Sequence, residues 1–181
     1  MDVQLTRGLF WFVSAFLIVA AAIDGWKLKV PNWLTFPLAG AGLSFHAIDG
    51  GGWGLLAAFA GLVVGLGLFL PTYAIGWMGA GDVKLFAAFG AWVGPAIAFQ
   101  TFPVVLCVGA AMALLMMLYN GNLAERFRTM KSLAWEVFIL RDPVKLSTAA
   151  AERKPRMTLL PYGIPIAVGS IAYLAMQVPL H

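Results

Sequence analysis

Residues 53–73 read WGLLAAFAGLVVGLGLFLPTY, an apolar run without a charge, and shortly afterwards residues 79–85 read GAGDVKL. A bilayer-crossing helix needs about 20 predominantly apolar residues, so the first stretch is long enough to span unaided. The second sets an aspartate, Asp82, against the start of another apolar run. The rest of the 181-residue chain is similar, with 61% hydrophobic and 11% charged residues. Soluble domains carry about 25% charged residues. No water-soluble core absorbs that much apolar surface, so the expected fold class is an all-α integral membrane protein.

Working outward, six spanning segments are expected. The first covers 8–23 and is short, so Asp24 and Gly25 extend it. Asp24-Gly25-Trp26-Lys27 follows it instead of a small-residue cleavage pattern, so it reads as a retained span. The second, 33–48, is closed by the loop signal Asp49-Gly50-Gly51-Gly52. The third is 53–73. The fourth opens at Asp82 or Val83 and closes near Gly94-Pro95, and the fifth, 96–119, carries a kink at Pro103. The sixth is 159–178. With no internal repeat or low-complexity tract, residues 1–181 read as one membrane-embedded domain with a polar loop over 120–158.

Orientation follows from the cations. With the N-terminus outside, the inner side carries Lys27, Lys29, Lys84, Arg126, Arg128, Lys131, Arg141, Lys145, Arg153, Lys154 and Arg156, against Arg7 alone outside. The positive-inside rule then selects an N-out, C-out topology. Asp24 and Asp82 fall at the same inner boundary, a match in depth that owes nothing to any motif. Trp26, Trp33, Trp53, Trp77 and Tyr119 sit at span ends, as an aromatic belt would. In the polar loop, Leu123, Phe127, Met130, Ala134, Val137 and Phe138 recur at helical spacing with cations on other faces. This reads as an amphipathic helix in the headgroup plane, its cations facing anionic lipid. An anchor is its simplest role; guiding a substrate is the second.

A carboxylate against hydrocarbon costs about 2.5–3.5 kcal/mol on insertion scales, so it is retained where it has work to do. Each aspartate also has a plainer reading. Asp82, after two glycines, suits the N-cap of the helix it opens. Asp24, at a helix C-terminus opposed by the dipole, has only headgroup water to suggest for it. As a pair they make a candidate aspartyl protease site. Two carboxyls a few ångströms apart do not both ionise easily, so one holds a proton near neutral pH. The ionised one activates a water, while the protonated one polarises the scissile carbonyl and later protonates the leaving amine. No metal, cofactor or nucleophilic serine is required. His46 and His181 are too isolated for a zinc site, and His46 reads as a buried hydrogen-bonding residue. Cys107, the one cysteine, reads as a small apolar core residue and excludes both an internal disulfide and a four-cysteine zinc site.

Three stretches together resemble the type IV prepilin peptidases. Residues 79–85 are similar to their GxGDxKL signature. Asp24 through Pro31 and Asn32 is similar to their first aspartate block, and Leu160-Pro161-Tyr162-Gly163-Ile164-Pro165 resembles the Pro-Tyr-Gly stretch of their last helix. Presenilin-like proteases share GxGD but pair it with a Tyr-Asp motif that is absent here. The resemblance implies Asp24 and Asp82 as catalytic residues. It implies removal of a short basic leader from prepilins and pseudopilins at the cytoplasmic face of the inner membrane. It implies no cofactor and no nucleic-acid partner. Members that also N-methylate carry a four-cysteine zinc insert, for which this chain has only one cysteine and no room. The compact form is similar to the peptidases of Flp/Tad pilus systems, with archaeal preflagellin peptidases the nearest alternative.

Supporting positions are Gly79 and Gly81, which let the backbone turn and approach closely. Lys84 either acts on Asp82 and its loop or snorkels to the interface. Pro31 and Asn32 read as a turn and helix start, and Pro161, Tyr162 and Gly163 as a wall of the site. Two rivals come from other classes. An ion-coupled carrier predicts polar residues deep in several spans and related halves, whereas the deep positions here are almost wholly apolar. A structural assembly protein predicts that Asp→Asn is tolerated at both aspartates.

Overall fold

The computed structural model describes residues 7–27, 29–74, 78–119 and 161–177, and among them every regular element is helical. These elements are α1 (Arg7–Lys27), α2 (Asn32–Ala74), α3 (Ala80–Tyr119) and α4 (Gly163–Gln177). The first three are long and apolar enough to cross a membrane, and the chain is a multi-pass membrane protein. The amphipathic segment expected in the polar loop, and Trp77, lie outside the described residues.

α2 and α3 are each broken by one glycine with left-handed backbone: Gly51 (φ 57°, ψ −143°) and Gly94 (φ 80°, ψ 172°). Side chains rarely tolerate such dihedrals, and glycine does. Both breaks reverse the chain. A Cβ on Gly54 would collide with the His46 carbonyl, although eight helical residues should separate them by about 12 Å. Likewise the Phe86 and Phe102 rings lie 6.4 Å apart across the Gly94 turn. The turns fall at Asp49-Gly50-Gly51-Gly52 and Gly94-Pro95, where the sequence signals loops. Pro103 lies inside the second α3 arm, where a proline removes one helical hydrogen bond.

Small residues let the arms approach closely, since burial from water cannot drive helices together in lipid. A Cβ on Gly61 would meet the Gly90 carbonyl, and one on Gly90 the Gly61 carbonyl, while a Cβ on Gly65 would lie 2.7 Å from the Phe86 carbonyl. Polar anchors fix the register of the first α2 arm. The Trp92 indole N–H donates to the Leu38 carbonyl at 2.8 Å. His46 Nε2 donates to the Trp92 carbonyl at 2.9 Å, so His46 is buried and hydrogen-bonded. Cys107 departs from the core role expected of it: it lies on the exposed face of the second α3 arm, where an apolar thiol contacts lipid as readily as protein.

These contacts give the bundle two ends. Phe12 of α1 stacks on Trp92 at 4.9 Å near one end. The last turn of α1, the first turns of α2 and α3 and the start of α4 gather at the other.

Candidate active site

Asp24 sits in the last turn of α1 and is 2% exposed, and Asp82 sits in the first turn of α3 and is 6% exposed. They are near enough for the charge of Asp24 to act on Asp82.

Each carboxyl is held by backbone. Asp24 Oδ2 accepts the Gly163 N–H at 2.7 Å. Gly163 opens α4, where the first N–H groups lack partners within the helix and the dipole favours an anion. The unfavourable end of α1 is therefore offset by the favourable end of α4. The fit is close: a Cβ on Gly163 would lie 2.8 Å from Asp24 Cβ and 2.9 Å from its Oδ2. Pro161 and Tyr162 form the turn, their carbonyls accepting the N–H groups of Ile164 at 3.2 Å and Ile166 at 3.1 Å. The Tyr162 ring faces Gly109, where an added Cβ would lie 3.2 Å from Cε1, and it is close enough to Asp82 to feel its charge.

Asp82 is not the N-cap of α3, and this corrects the simpler expectation. The helix begins at Ala80, and Asp82 Oδ2 reaches back to accept the Gly79 N–H at 3.2 Å. That is the acidic half of a capping box, with Gly79 in the cap position. Oδ1 is buried and has no hydrogen-bond partner among the described residues.

The segment between α1 and α2 ties the two aspartates together. A Cβ on Gly81 would lie 2.6 Å from the Val30 carbonyl, so Val30 lies directly over the glycine turn. The Pro31 carbonyl accepts the Leu34 N–H at 3.1 Å and starts α2 at Asn32. Lys84 turns to this segment, donating to Asn32 Oδ1 at 3.0 Å with its ammonium 5.0 Å from the Phe36 ring. It thus links the starts of α2 and α3. Among the described residues no group of three His, Cys, Asp or Glu side chains could hold a metal ion.

The Type IV leader peptidase family model matches residues 11–118, which include both aspartates. The chain belongs to the type IV leader peptidase family. It is 33% identical over 143 residues to the prepilin leader peptidase/N-methyltransferase of Neisseria gonorrhoeae, covering 73% of this chain and 48% of that protein. It is 38% identical over 117 residues to the Aeromonas hydrophila protein of that name, covering 59% and 39%. With the Escherichia coli K12 protein of that name the identity is 33% over 117 residues, covering 59% and 48%. The chain thus spans about half the length, or less, of these relatives. No solved structure matches it.

The family match stops before Pro161, yet among the described residues Gly163 makes the shorter of the hydrogen bonds to the two aspartates. Sequence reasoning gave Gly163 no task beyond a wall. The available cue was a glycine at a helix start, two residues from Pro161 and from Pro165, which marks close approach by something across the chain.

Proposed function

We propose that this leader-peptidase family member is a membrane aspartyl endopeptidase that uses Asp24 and Asp82 as its catalytic pair. Its substrates are type IV or Flp prepilins and pseudopilins. It removes their short basic leader at the cytoplasmic face of the inner membrane, from a six-span, N-out and C-out bundle. The observation that carries this reading is that two buried carboxyls from separate helices share one end of the bundle, within range of each other's charge. One activates a water and the other polarises the scissile carbonyl. Peptide cleavage without N-methylation is the activity we assign. The relatives' names carry both activities, but this chain holds a single cysteine.

Co-expression with a prepilin tests the reading. Asp24→Asn or Asp82→Asn should leave the prepilin at its precursor mobility while the variant still inserts into the membrane. Mature pilin formed at the wild-type rate by either variant would overturn it.

A further inference from the structure

The two carboxyls are held unequally. Asp24 Oδ2 accepts a 2.7 Å N–H bond from the first residue of α4, a length typical of bonds to an ionised acceptor. Asp82 receives only the 3.2 Å bond from Gly79 on Oδ2, and its buried Oδ1 has no partner among the described residues. Among the described residues a charged oxygen in that position has no donor to replace its lost water. A protonated Oδ1 is itself a donor and needs only an acceptor.

We infer that the Gly163 main-chain N–H is a positioning group that divides the roles of the pair, making Asp24 the ionised base and Asp82 the acid carrying its proton on Oδ1. The inference rests on the hydrolytic reading above. Asp24 removes a proton from water as the water oxygen bonds to the carbonyl carbon, and Asp82 Oδ1–H donates to the developing oxyanion. Asp82 then gives its proton to the departing nitrogen as the C–N bond breaks, leaving a carboxylic acid and an amine. A proton passing from Asp24 to Asp82 restores the starting state. Among the described residues the other titratable groups at this end are Lys27, one turn beyond Asp24 on α1, Lys29 between α1 and α2, Tyr73 in the last turn of α2, Tyr162 ahead of α4, and Lys84 on α3. Lys84 donates to Asn32 of α2, and Tyr162, next to Gly163 in the chain, is within range of the Asp82 charge.

Infrared spectra of the full chain in lipid nanodiscs test the division without any substrate. At neutral pH the C=O stretch of one protonated carboxyl should be lost in Asp82→Asn and kept in Asp24→Asn. Loss in Asp24→Asn instead, or no such band in the wild type, overturns the inference. A chain that shows the expected bands yet leaves prepilin uncut would sink the hydrolytic reading and spare the assignment. A second arm removes only the N–H, by replacing residue 163 with glycolic acid to give a backbone ester. The kcat should fall about 10-fold, the size of one charge-assisted bond, with the acidic limb of its pH profile moving about one unit higher. That sign follows because the bond favours the ionised form of Asp24. An equal fall at every pH, or movement of the basic limb instead, overturns the inference.

Discussion

At the scale of single residues, the site depends on glycines chosen for what they leave out. Gly163 has room for no Cβ beside Asp24, whereas a Cβ on Gly25 would make only an ordinary 3.6 Å contact with Ile164. Gly163→Ala should therefore lower leader removal at least about tenfold, the scale of one carboxylate hydrogen bond, and Gly25→Ala should leave it near wild type. Initial cleavage rates on one prepilin at equal enzyme levels decide both. Gly81→Ala should behave like Gly163→Ala, because its Cβ would press on the Val30 carbonyl. The two aspartates were legible in the sequence because a charge stands out against apolar neighbours. The N–H that grips Asp24 was not, since it belongs to a glycine 139 positions away and no local pattern encodes so distant a partner.

At the scale of elements, the turns and the seams differ in how openly the sequence announces them. Gly51 and Gly94 sit in glycine-rich or Gly-Pro punctuation, and both chain reversals could be read from it. The glycine seam between Gly61, Gly65 and Gly90 looks, in sequence, like any small residue in a hydrophobic run. Only the packing shows that these backbones touch. Likewise the start of α3 moved from Asp82 to Ala80, because a cap and a capping-box acid have similar sequence signatures. Gly94→Ala should destabilise the bundle by about 1–3 kcal/mol, as its dihedrals belong to glycine almost alone. Gly61→Ala should lose a similar amount through overpacking. Thermal unfolding in one detergent, followed by circular dichroism, should show both midpoints below wild type, with Gly40→Ala, which meets open space, unchanged.

At the scale of the whole molecule, the proposed topology puts the site end inside the cell and the Gly51 turn outside. In a Cys107→Ser background, an impermeant thiol reagent added to intact spheroplasts should label Asp49→Cys and spare Lys27→Cys. The reverse pattern would invert the topology. Chelators should leave leader removal unchanged, as the described residues assemble no ligand set; strong inhibition would reveal a metal requirement. Because Asp24 is clasped by backbone from α4, its carboxyl gains that partner only once residue 163 has been synthesised and packed against α1, so the last described helix completes a contact begun by the first.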